Sequence, residues 1–76
     1  MAHLRRAVEL DPEYSAAWKT LGHALQAADD HSGALDAWTR GRAAAERGGD
    51  VQAAKEMAVF QRRLEKRLAA DGRKED

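Results

Sequence analysis

Leu10-Asp11-Pro12, then Trp18-x2-Leu21-Gly22-x2-Leu25, then Ala34-x3-Trp38 are the stretches whose reading decides the fold. On a helix turning about 100° per residue, Trp18, Leu21, Gly22 and Leu25 fall on one face. A second stripe follows at the same spacing, made of Ala34, Leu35, Trp38, Gly41 and Ala45. Large indoles alternate with small positions at Gly22, Ala34 and Gly41, the pattern by which two antiparallel helices interdigitate. Gly22 costs about 1 kcal/mol of helix propensity, a cost that makes sense where a neighbouring helix must come close. Trp18 and Trp38 therefore read as core residues.

The breaks between the stripes place the helix ends. Proline cannot continue a helix but suits the start of one, so Leu10-Asp11-Pro12 closes a first helix over about residues 2–10 and opens a second over about 13–28. Asp29-Asp30 interrupts the pattern, and Asp30 is placed to cap a third helix over about 31–47. Gly48-Gly49 stops that helix, and Asp50 caps a fourth reaching about Ala70. Residues 71–76 are charge and glycine, and a frayed, disordered tail is expected there.

With these elements in place, the string resembles the tetratricopeptide repeat, whose signature is Trp-x2-Leu-Gly-x2-Tyr, then Ala-x3-Phe, then Pro. The match spans roughly Ala7 to Ala45. Leu25 stands where the family prefers Tyr, and no proline closes the second helix of the pair. The resemblance implies an all-α stack of antiparallel helical hairpins, an α-solenoid fragment that binds other proteins. Residues 1–12 would be the end of a preceding repeat, 13–47 one complete repeat, and 50–70 a capping helix, within a single domain over 1–70.

The fourth helix does not continue the motif. Gln52, Lys55 and Glu56 stand in register with the earlier Trp and Leu-Gly, while Ala53, Ala54, Met57, Phe60, Leu64 and Leu68 form a broad apolar face. Lys55, Arg62, Arg63 and Lys66 occupy the other side. Such a polar-backed terminal helix covers the end of an array, so a C-terminal cap is expected. At the other end, the first helix is the second of a pair whose partner is missing from this sequence. Its Leu4, Val8 and Leu10 would be covered by an upstream helix, by a second copy of the chain, or by the helix folding back on its own; a homo-oligomer through this open helix is the structural alternative for function.

In the family, the first helix of each pair lines the concave groove. The resemblance therefore assigns partner contact to Ala16, Lys19, Thr20, His23, Gln26 and Ala27, which lie opposite the Trp18/Leu21/Leu25 stripe. Some members clamp the terminal carboxylate of a peptide with Lys and Asn or Arg one turn apart. Lys19 matches the lysine, and His23 stands where Asn or Arg is expected. An ammonium there would give a charge-assisted bond to a carboxylate, with His23 assisting when protonated. An ordinary solvated lysine and histidine is the plainer alternative.

Other chemistry finds no constellation. The chain has 76 residues, 13 Lys and Arg against 13 Asp and Glu, and no cysteine. It is one domain with a thin core, without global attraction for nucleic acid, a disulfide framework or a thiolate metal site. His3, His23 and His31 lack the spacing of a metal pair, and Ser15 and Ser32 lack a nucleophile elbow. Gly48-Gly49 lacks the Lys-Ser/Thr of a phosphate loop. No cofactor, metal or catalytic residue is expected, and the chain reads as a non-enzyme. No apolar run approaches a membrane span and no signal-peptide core is present, so a cytoplasmic location is the expectation. Lys55, Arg62, Arg63 and Lys66, flanked by Arg67, open a weaker reading as a nucleic-acid face. Val59 and the lack of an aromatic for base stacking argue against it.

Overall fold

The computed structural model describes residues 2–11 and 13–75, with side chains described for 3–11 and 13–70. Among these residues the chain forms four helices and no strand: α1 (Ala2–Leu10), α2 (Ser15–Ala27), α3 (His31–Arg47) and α4 (Val51–Glu75). Sequential helices pack as antiparallel neighbours, with α3 in the middle, held between α2 and α4, and α1 laid on α2. The fold is all-α, as the two indole stripes implied.

The two hairpin turns share one construction. At the end of α2, the Asp30 amide donates to Leu25 O at 2.8 Å and the Asp29 amide to Gln26 O at 3.0 Å. At the end of α3, the Asp50 amide donates to Ala45 O at 2.8 Å and the Gly49 amide to Glu46 O at 3.2 Å. Both are Schellman closures, which need a left-handed residue just past the helix. Asp29 takes that conformation at φ 62° and Gly49 at φ 77°. The next residue then caps the following helix: Asp30 Oδ1 accepts from the Gly33 amide at 3.0 Å, and Asp50 Oδ1 from the Ala53 amide at 3.1 Å. One aspartate thus finishes one helix with its amide and starts the next with its carboxylate.

The start of α2 differs from the sequence expectation. It begins at Ser15 rather than Glu13, because Asp11 Oδ1 accepts from the Glu13 amide at 3.3 Å and Asp11 O from the Tyr14 amide at 3.0 Å, holding the chain in a turn. Pro12, expected to open this helix, lies outside the described residues. Glu13 instead grips the far end of the hairpin: its carboxylate accepts from Arg47 Nη2 at 2.9 Å and Nε at 3.0 Å. That bond, and then the carboxylate's charge, raise the Arg47 guanidinium above its ordinary value.

Inside, the indoles and glycines interlock in both directions. A Cβ added at Gly22 would overlap the Trp38 indole at Nε1, Cδ1 and Cε2. A Cβ added at Gly41 would overlap the Trp18 Cβ and the Met57 Sδ. Each helix of the hairpin therefore sends its tryptophan into the glycine of the other. With Gly22 bare, the Trp38 Nε1–H reaches the α2 backbone and donates to Lys19 O at 3.2 Å, so the buried indole keeps a polar partner. Trp18 and Trp38 are both buried, together with Leu21, Leu25, Ala34 and Ala45. Ala17, Ala37 and Ala44 join the core beyond the expected stripes, while Leu35 is only half-buried.

α4 seats Met57 and Leu64 completely and leaves Arg62, Arg63 and Lys66 exposed. The helix spans Val51–Glu75, so it ends past the point expected near Ala70. Arg, Lys and Glu are good helix formers, and a single glycine within a helix costs only about 1 kcal/mol against alanine. α1 is covered in part by its own chain: Val8 is buried and Leu4 and Ala7 pack against the core, while Leu10 is 73% exposed.

Candidate protein-binding face

The outward side of α2 carries the residues singled out for partner contact. Ala16, Thr20, His23 and Ala27 are exposed, and Lys19 and Gln26 are half-buried. The Thr20 hydroxyl is used locally, donating to Ala16 O at 3.0 Å. This face is not α2's alone, because α4 runs beside it in the same direction. Two rungs join them. Lys19 Nζ lies 3.7 Å from Glu56 Oε1. One turn further, the His23 ring meets Phe60 edge to face, with centroids 4.6 Å apart.

The second rung is anchored in the core. His23 also contacts Trp38 at 5.4 Å, and Phe60 lies 5.5 Å from Trp38. His23 is therefore an exposed residue whose ring forms the lid of an aromatic cluster, rather than a free imidazole on a bare helix. Lys19 is likewise engaged: its carbonyl holds the Trp38 indole and its ammonium has a carboxylate within reach. Any carboxylate that reaches Lys19 therefore meets a lysine that already has an acidic neighbour.

Glu56 and Phe60 were missed as members of this face when the sequence was read. The signal was there: Lys19 and His23 are four apart, as are Glu56 and Phe60, the spacing two parallel helices need to pair turn by turn. In the sequence Phe60 belongs to the broad apolar face of α4 that covers the end of the array, which says nothing of a contact with α2. Among the described residues, no group of three or more His, Cys, Asp or Glu is gathered in a way that could hold a metal ion. No helix among them is long and apolar enough to cross a membrane.

The residues proposed for self-association separate. Val8 is buried by its own chain and so is not a free contact; Leu4 is half-buried against the core. Leu10 alone of the three stands out, with Tyr14 of the adjoining turn 54% exposed. The reason is angular: Leu4, Ala7 and Val8 share the side of α1 that meets α2, and Leu10 points away from it.

A hairpin with reciprocal tryptophan–glycine packing, followed by a parallel helix on its first-helix side, defines a helical-repeat protein. No family model matches the chain. It is 58% identical over 64 residues to the TPR repeat-containing protein PA0015 of Pseudomonas aeruginosa, an alignment covering 84% of this chain and 61% of that protein. The solution structure of protein BPP2914 from Bordetella parapertussis matches with a TM-score of 0.83 at 49% identity, over 95% of this chain and 63% of that one. The chain thus spans less than two thirds of the length of either. The motif, the packing and these likenesses together make the chain a relative of a tetratricopeptide-repeat protein.

Proposed function

We propose that this chain is a non-catalytic protein–protein interaction module whose α2–α4 face receives a peptide or partner helix. The observation that carries the reading is the pair of matched rungs, Lys19–Glu56 and His23–Phe60, which build a continuous strip of two parallel helices with the exposed small side chains Ala16, Thr20 and Ala27 along it. Small residues let another backbone approach, and the half-buried lysine supplies a directional charge.

A peptide carboxylate reaching Lys19 competes with Glu56. The competition gives the reading its test: titration of an acidic C-terminal peptide into the original chain, Lys19→Ala and Glu56→Gln. Glu56→Gln should bind more tightly and Lys19→Ala more weakly, each by a few-fold, since a partly exposed ion pair contributes about 0.2–1 kcal/mol. Equal affinity in all three proteins removes Lys19 from the site.

A second reading has its own observation. Leu10 and Tyr14 lie exposed within one turn of each other at the α1–α2 corner, a small apolar patch suited to a second copy. Mass action then makes the melting temperature rise with protein concentration, and Leu10→Ser abolishes the rise. A concentration-independent melt of the original chain removes the homodimer.

A further inference from the structure

We propose that the outer face of α4 docks an acidic amphipathic helix of another protein, at a surface that adjoins the α2–α4 face at Glu56 and extends away from it. The cations of α2 and α3 and those of α4 are treated differently by the fold. Lys19, Arg40, Arg42 and Arg47 each have a carboxylate within 4.0 Å, at Glu56, Asp36, Glu46 and Glu13. Lys55, Arg62, Arg63, Lys66 and Arg67 are all exposed, and none is in an ion pair among the described residues. Arg5 and Arg6 of α1 are exposed without an ion pair as well, but the five on α4 are the larger group, so a chain with no net charge gathers most of its unpaired described cations along one helix.

The same side carries apolar residues that a merely solvated face does not need. Val51 is 60% exposed and Val59 38%. β-Branched valines are mediocre helix formers, so helix stability does not account for them. With Lys55 between them they line a shallow groove of about 400 Å³, whose other lining residues are Gln52 and Glu56, the latter already facing Lys19. Val51, Lys55, Val59, Arg62 and Lys66 follow one another at steps of three or four, which makes a single straight seam on the side away from Met57 and Leu64. The first half of the seam sets Lys55 between two valines, and the second half is cationic.

That order describes the occupant. A partner helix lying along the seam places two apolar side chains against Val51 and Val59 and carboxylates against Lys55, Arg62 and Lys66. Nucleic acid fits less well: phosphates gain nothing from the valines, Glu65 interrupts the stripe, and the seam carries no aromatic to stack a base. An anionic bilayer needs a broader apolar face than two valines.

The experiment is anisotropy titration of a labelled helical peptide of about 18 residues, with leucines spaced as Val51 and Val59 are and glutamates placed to face Lys55, Arg62 and Lys66. Its isomer has the same composition with the leucines turned to the opposite side. The proteins are the original chain, Val59→Ser, the double variant Arg62→Gln/Lys66→Gln, and Lys19→Ala, all with unchanged circular dichroism melts. The patterned peptide should bind about tenfold more tightly than its isomer, and Val59→Ser and the double variant should each weaken it about fivefold. Lys19→Ala should leave this binding unchanged, whatever it does to peptides on the α2–α4 face, so the two sites are told apart. Absence of binding overturns the proposal. So does equal binding of both isomers, full competition by a single-stranded oligonucleotide of equal charge with Val59→Ser neutral, or an equal loss in Lys19→Ala.

Discussion

Gly22 shows how two residue-scale effects of opposite sign are decided by packing. On propensity alone, Gly22→Ala should stabilise α2 by about 1 kcal/mol. In the fold the added methyl falls on the Trp38 indole, which is held by its bond to Lys19 O and by the aromatic cluster with His23 and Phe60. Moving the ring costs about 1–3 kcal/mol of overpacking and strains that bond. Gly22→Ala should therefore lower the melting temperature, and a higher one would show that the indole yields freely. Gly48 and Gly49 make a matching contrast. Gly49 is left-handed at φ 77°, while Gly48 is right-handed at φ −84° with room for a methyl. Gly49→Ala should destabilise by about 1 kcal/mol, whereas Gly48→Ala should be neutral or stabilise by about 0.4–1 kcal/mol. Paired denaturation curves check both. The indoles and small positions were legible in the sequence because bulk and spacing alone set that packing. The aromatic cluster was not, since it depends on where two helices apart in the chain come level with each other.

At the scale of the element, α4 carries more of the fold than a covering helix would. Met57 is fully buried with its Sδ at the bare Cα of Gly41, the same spot that receives Trp18. Met57→Ala and Leu64→Ala should each cost about 2–5 kcal/mol, comparable with the whole stability of a small domain. Loss of helical signal at room temperature in either variant is the expected reading, and melts within a degree of the original chain would deny α4 this role. Helix ends could be read closely where a chemical group fixes them: α3 begins after Asp30 and ends at Gly48, as its cap and its glycines dictate. They were misread where the group acts out of sequence order. Asp11 holds residues 13 and 14 in a turn, and good helix formers carry α4 beyond Ala70.

On the scale of the whole molecule, charge and shape divide the surface into distinct regions. The cations of α3 pair with carboxylates of the hairpin, the α2–α4 strip offers a lysine already matched to a glutamate, and the far side of α4 is left cationic. Class and fold were accessible from a single string of residues. The binding face was accessible only on its α2 half, because a motif names positions on its own helix and not those a neighbour brings alongside. The central claim is that the α2–α4 strip is where a partner binds. Its most direct test is a heteronuclear NMR titration of the 15N-labelled chain with an acidic C-terminal peptide. Shifts should concentrate on the amides of Lys19, Thr20, His23 and Ala27 in α2 and Glu56 and Phe60 in α4, saturating together and growing in Glu56→Gln. Shifts confined to α1 and the Leu10–Tyr14 corner, or none at millimolar peptide, would contradict the account.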